Sequence, residues 1–211
     1  MKFEKPHLSI GLDIGSSAIK LVKLKFLKDK VELFDFILEP VNTNLVETLR
    51  NIKVAKGIQA VNIGVCGSST VIRYVSFPKM NALELKQALK FEAQKHIPFT
   101  MEEVNLDGYI LQEGLPDNKM LVLIAAVKKE LINQRIKLIE DAGLSADIVD
   151  IDSLALSNAF NFNYSEDDSL KNKAMALLNI GYSVTNLSIL ENGIPHLRRD
   201  IHIAGNNFTQ K

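Results

Sequence analysis

The sequence predicts an α/β protein of two similar lobes, with a small α+β module set into the first. Three observations predict it. Leu12 to Leu24 and Leu178 to Leu190, thirteen residues each and 166 apart, carry one strand–turn–strand pattern, with six identical positions. From residue 8 the periodic segments read as three strands, a helix and a fourth strand. From residue 71 the order is β-α-β-β-α-β, a split βαβ unit.

The elements follow from local pattern. Leu8, Ile10 and Leu12 alternate as in a strand over 8–14, and a second apolar run covers 18–26. A third strand, 31–38, follows the turn Lys28, Asp29, Lys30. A helix over 45–53 has candidate caps in Asn42 and Asn44. Val61, Ile63 and Val65 alternate in a strand over 60–66. A strand over 71–77 stops at Pro78. A helix then starts at Asn81, with Glu84 placed for a capping box, and ends by Pro98. Strands over 104–111 and 120–127 flank a turn at 115–119. A helix over 129–142 closes at Gly143. A strand at 148–151 precedes Asp152, which reads as the cap of a helix through about residue 160. Residues 161–173 are polar and acidic, a surface connection and hinge candidate. The second hairpin begins at Ala174, and a third strand spans 196–203.

The hairpin turns carry the chemistry. Gly15 permits close approach to the main chain, and Ser16 and Ser17 add hydroxyl donors around a turn whose N–H groups can nest an anion. Asp13 ends the first strand, where a carboxylate can hold a metal ion or water against a phosphate. Lys20 can reach the same phosphate as a point charge; a solvent-facing strand lysine is the other reading. The same residues also describe a plain hairpin whose Asp caps its own turn. Asn179, Gly181 and Ser183 occupy the matching places in the second hairpin, with Tyr182 where the first has Ser16.

The paired hairpins resemble the phosphate-1 and phosphate-2 loops of the actin-like ATPase superfamily. The stretch between them is more specific. Phe77, Pro78, Lys79 and Met80; Phe91, Glu92 and Ala93; Ile97, Pro98 and Phe99; Ala125, Ala126 and Val127; and Ala142, Gly143 and Leu144 occur in the order and spacing of the PilM family of type IV pilus assembly proteins. The cell-division FtsA family is a more distant relative.

The resemblance implies an actin-like fold of ribonuclease-H-like subdomains. It implies subdomain 1A from 7–70, an inserted 1C-like subdomain at 71–151, the return to 1A and a linker at 152–172, and the start of subdomain 2A at 173–211. The C-terminal half of the second lobe would be missing. The implied cofactors are ATP and Mg²⁺. Asp13 would hold Mg²⁺ through water beneath the β- and γ-phosphates, and Gly15, Ser16, Ser17, Lys20, Gly181 and Ser183 would contact the phosphates. Asn179 stands where the family's second loop usually carries Asp, so binding is expected to survive better than hydrolysis. The implied partners are the cytoplasmic tail of a PilN-like inner-membrane protein, in a groove between 1A and 1C, and other pilus subunits. The implied place is the cytoplasm, peripheral to the inner membrane through partners. An FtsA-like cell-division protein and a pseudo-ATPase scaffold are the alternatives. A sugar or acetate kinase would need a catalytic carboxylate near the second lobe, and no clear candidate stands there.

Composition excludes other classes. With 25 acids and 25 bases there is no electrostatic case for nucleic acid or an anionic membrane. The few aromatics do not interleave with a basic strip. No apolar run approaches the ~20 residues of a membrane span, and the first six residues contain no apolar signal region. A cytosolic chain is expected. The single Cys66 reads as a buried inert thiol, and His7, His96, His196 and His202 lack ligand spacing. Arg198 and Arg199 could bind an anion, with surface strand arginines as the default reading. Phe91, Phe99 and Tyr109 are core residues or anchors of a partner groove.

Overall fold

The computed structural model describes residues 5–41 and 44–210. Strands β1 (His7–Ile14), β2 (Ala18–Phe26) and β3 (Val31–Pro40) form an antiparallel meander. Helix α1 (Leu45–Lys56) carries the chain to β4 (Ala60–Val65), which lies parallel to β1. The Asn44 side chain caps α1 by accepting from the Glu47 N–H, and Gly57 ends it at φ 59°. Asn42, the other candidate cap, lies outside the described residues, as does the start of the chain through residue 4.

Strands β5 (Thr70–Pro78), β6 (Val104–Leu115) and β7 (Lys119–Lys128) make a separate antiparallel sheet in the order β5-β7-β6. Helix α2 (Ala82–Ala93) covers one face, and the expected capping box of Asn81 and Glu84 is present. That cap contributes about 1 kcal/mol. Burying Leu85 and Leu89 contributes about 2 kcal/mol each, so the apolar face, more than the cap, holds α2 to the sheet.

Helix α3 (Lys129–Asp141) and strand β8 (Ser145–Ile151) depart from the split βαβ reading. β8 does not close the inserted sheet. It pairs parallel with β4, giving a five-stranded sheet in the order β3-β2-β1-β4-β8. The cause is the face that α3 buries. Ile139, Ala142 and Leu144 join Leu12, Leu21, Leu49 and Ile63 in the core of the large sheet, so α3 acts as its crossover helix.

Helix α4 (Asp152–Tyr164) runs one turn past the expected end. Its buried face is Ser153 and Ser157, small enough for close packing, and it touches β4 and β8 on one side and β10 on the other. Strands β9 (Ala174–Ile180), β10 (Thr185–Glu191) and β11 (Ile194–Ile201) form a third sheet, again an antiparallel meander, followed by the short helix α5 (Gly205–Thr209). The expected hinge at 161–173 is tied down at both ends. Asn161 donates to the Gly193 carbonyl at 2.8 Å, and the Asn172 N–H donates to the Asn192 side chain at 3.0 Å. Among the described residues no helix is long and apolar enough to cross a membrane.

Candidate functional site

The two meanders repeat each other in detail. Gly15 N–H donates to the Ala18 carbonyl at 3.0 Å, and Gly181 N–H donates to the Val184 carbonyl at 3.1 Å. Asp13 lies opposite Lys20, and Asn179 lies opposite Asn186. The register slips by a bulge at Lys23/Leu24 in one meander and at Ile189/Leu190 in the other, the same 166-residue offset. Each turn is braced by the segment after its third strand: Val41 N–H donates to the Ser17 carbonyl, and Gly205 and Asn206 donate to the carbonyls of Gly181 and Tyr182. Glycine is needed at both turns. A Cβ would come within 3.0 Å of the Ala18 carbonyl oxygen at position 15, and within 2.7 Å of that of Val184 at position 181.

The turns face each other. Ser183 Oγ donates to Ser16 Oγ at 3.1 Å. The structure therefore brings the two turns into contact at Ser16 and Ser183, with Asp13, Gly15, Ser17 and Lys20 on the first hairpin and Asn179 and Gly181 on the second. Their charge differs. In the first turn Lys20 Nζ sits 2.8 Å from Asp13 Oδ2, and both side chains are about half exposed. In the second turn Asn179 donates to Asn186 at 3.5 Å. Asn186 donates to Asp200 at 2.8 Å, and Asp200 pairs with Arg198 at 3.2 Å. Arg198 then donates to Thr70 Oγ1, at the start of β5, at 3.0 Å.

Three residues take places other than those the sequence reading gave them. Arg198 is not a surface arginine: its side chain is 11% exposed, and its Nε finds no hydrogen-bond partner among the described residues. Arg199 is exposed, as expected. Asp152 does not cap α4; Ile151 holds the cap position with no side-chain bond, and Asp152 is the first helical residue. Its carboxylate rests on β4 at Gly64, where a Cβ would lie only 1.9 Å from Oδ1. Burial raises the Asp152 pKa, a hydrogen bond from Cys66 opposes the rise, and the charge of Asp13 adds to it. Cys66 corrects the buried-thiol expectation. It lies just past β4, exposed, where desolvation and then the charge of Asp152 push its thiol up to about 12. The signal for Asp152 was a glycine near the end of β4 and an acid just past the end of the parallel strand β8, which becomes readable only once β8 is placed beside β4.

Among the described residues no group of three or more His, Cys, Asp or Glu could hold a metal. The four histidines form no such group.

A second feature is a furrow of about 670 Å³ between the inserted sheet and the β8–α4 corner, lined by Tyr109, Leu123, Ala125, Ile132, Val149 and Leu154. Asp150 is on its wall, its pKa raised by burial against an opposing hydrogen bond from the Ile151 N–H. Of the candidate anchors, Tyr109 lines this furrow at 70% exposure. Phe91 is 72% exposed on α2, and Phe99 packs on the inserted core beneath Lys128.

The chain is similar in shape to a chain of a PilM-PilN type IV pilus biogenesis complex, with a TM-score of 0.79 and 23% identity, covering 96% of this chain and 63% of that one. The cytoplasmic domain of EpsL, an inner-membrane component of the Vibrio cholerae type II secretion system, matches with a TM-score of 0.56 and 12% identity over 93% of this chain and 71% of that one. The ethanolamine utilization protein EutJ from Carboxydothermus hydrogenoformans matches with a TM-score of 0.51 and 12% identity over 95% and 54%. This chain thus spans 63% of the length of the PilM-PilN complex chain it matches. The fold is that of the actin-like ATPases. The family model for type IV pilus assembly protein PilM matches residues 11–211. With its twin turns, its inserted sheet and that match, the chain belongs to the PilM family of type IV pilus assembly proteins.

Proposed function

We propose that this chain is a nucleotide-binding, actin-like assembly module of a type IV pilus machine. It works at the cytoplasmic face of the inner membrane through a PilN-like partner, whose cytoplasmic tail occupies the furrow between the inserted sheet and the β8–α4 corner. The observation that carries the nucleotide reading is the 3.1 Å bond between Ser16 and Ser183, which joins two glycine turns of one design across 167 residues.

The residues present fit a magnesium nucleotide. Both turns are tight and expose their hydroxyls, and Asp13 is half exposed, so its carboxylate is open to a metal-bound water. Magnesium keeps most of its waters and needs only one or two carboxylates beside the phosphates. Gly15, Ser16, Ser17, Gly181 and Ser183 would line the polyphosphate, Lys20 would add positive charge, and Asp13 would hold Mg²⁺. Mg²⁺–ATP, when bound, would supply the negative polyphosphate for the turns' N–H and hydroxyl donors and the cation for the Asp13 carboxylate. Asn179 is neutral and cannot take a proton from water, so grip is favoured over turnover and a scaffold over an efficient ATPase.

The test is a titration of a fluorescent ATP analogue with and without Mg²⁺ against the wild-type chain and Asp13→Asn. Wild-type binding should strengthen with Mg²⁺. Asp13→Asn should weaken it at least about tenfold, or 1.4 kcal/mol, and abolish the response to the metal. Equal affinities in all four arms, or no binding by wild type, would count against the reading.

A further inference from the structure

A cluster of cationic side chains lies apart from the twin turns. Strand β5 is an edge of the inserted sheet and β11 an edge of the third sheet, and a pocket of about 570 Å³ opens between them. Its walls carry Arg73, His196, Arg198 and Arg199, together with Gly67 and Ser68 of the loop after β4. No residue of either glycine turn lines it.

The charges on those walls do not cancel. Among the described residues Asp200 is the one acid lining the pocket, and it is matched to Arg198 at 3.2 Å. His196 has Glu191 at 3.7 Å. Arg73 and Arg199 make no ion pair among the described residues. Two positive charges are left over, one on β5 and one on β11. The first is also fixed in place. Arg73 Nε donates to the His96 carbonyl at 3.2 Å, and its Nη1 donates to the Ile72 carbonyl at 2.9 Å.

The loop adds neutral donors. Gly67 has φ 97°, and its carbonyl accepts both the Thr70 N–H at 3.0 Å and the Thr70 hydroxyl at 2.7 Å. The N–H groups of Gly67 and Ser68 make no hydrogen bond among the described residues. Successive free N–H groups in a turn form a nest for an anion. Tyr74 is on the same wall, and burial, opposed by the charge of Arg198, pushes its hydroxyl up to about 12, so it stays a donor at neutral pH.

We propose that this pocket binds a dianionic phosphoryl group, held between Arg73 and Arg199 and against the N–H groups of Gly67 and Ser68. Arginine pairs with phosphate oxygens through two parallel N–H bonds. A phosphomonoester carries about −1.5 to −2 at pH 7, which matches the charge left over, whereas a carboxylate brings only one. The volume is in the range of small-molecule sites, and Ile72 and Leu197 give part of the wall an apolar character. The site therefore takes either inorganic phosphate or the end of a small phosphomonoester. Bound there, the anion joins β5 to β11 beside the Arg198–Thr70 bond. The pocket is separate from the twin turns, so its occupancy is independent of the nucleotide proposed there.

The test is a titration of the whole chain with inorganic phosphate and with phenyl phosphate, at constant ionic strength in chloride, followed by calorimetry and by the amide resonances of Gly67 and Ser68. Both ligands should bind and shift those two amides. Arg199→Gln, at an exposed residue, should weaken binding at least about tenfold. Arg199→Lys should recover part of the loss, because lysine keeps the charge without the fork. Arg50→Gln, the same loss of charge on α1, should change binding less than about twofold. Phenyl phosphate binding about tenfold tighter than phosphate identifies a phosphomonoester as the ligand, and equal or weaker binding identifies the free anion; either result supports the site. Binding no stronger than that of chloride, binding that Arg199→Gln leaves intact, or shifts at Gly15 and Gly181 in place of Gly67 and Ser68 overturns it.

Discussion

The turn at Gly15 and the turn at Gly181 share a hydrogen bond, a cross-strand register and the position of the following bulge, yet Asp13 faces Lys20 where Asn179 faces Asn186. The backbone design is duplicated and the charge is not. The carboxylate available to a metal belongs to the first turn. The second turn spends its polar groups on a chain of hydrogen bonds through Asn186 and Asp200 to Arg198 and Thr70. One hairpin keeps a half-exposed carboxylate–lysine pair at its turn, and its twin is tied through Arg198 to the inserted sheet.

That contrast can be broken most severely through the shared feature. Gly181→Ala places its methyl 2.7 Å from the Val184 carbonyl oxygen, in a turn whose Gly181 and Tyr182 carbonyls are held by α5, and should cost about 3 kcal/mol by urea denaturation. Gly15→Ala meets its carbonyl at 3.0 Å and should cost about 1 kcal/mol. Equal costs would mean that the second turn is no more tightly braced than the first. Asn179→Asp sharpens the comparison by making the turns alike in charge. A carboxylate cannot donate to Asn186, so stability should fall by about 1 kcal/mol, while the Mg²⁺ dependence of nucleotide binding increases. A variant with full stability would show that the polar chain does not depend on its first link. The smallest effect belongs to Ser183→Ala. The lost hydroxyl pair is exposed, so stability should drop by only about 0.5 kcal/mol in the same denaturation assay, with nucleotide affinity falling about two- to threefold through the lost phosphate contact.

The elements were legible because their signals are local. Asn81 and Glu84 announced a capping box, Gly143 a helix end at φ 75°, and the Leu, Gly and Ser matches a second hairpin. The partner of a strand is not a local property. The segment that became β8 reads as a strand in any sheet, and only the apolar face of α3 decides that it joins β4. The cleft was half legible for the same reason. Asp13 and Gly15 belong to a turn that can be read in sequence. Asp152 looked like a helix cap because a polar residue before an apolar run usually is one, and its seat on Gly64 exists only after β4 and β8 are paired. Arg198 looked exposed because strand alternation tells inward from outward only when the covering element is known. Here that element is β5, from a distant part of the chain.

Helix α4 has a consequence for how the molecule holds together. It lies against β4 and β8 of the first sheet and β10 of the third, with Ser153 and Ser157 buried and Asn161 bonded to Gly193. Each lobe therefore borrows part of its interior from a helix that the other also uses. Melting either one strips cover from its neighbour, so the two lose order in concert, and a protease cut in the exposed connection after residue 164 leaves the pieces clasped.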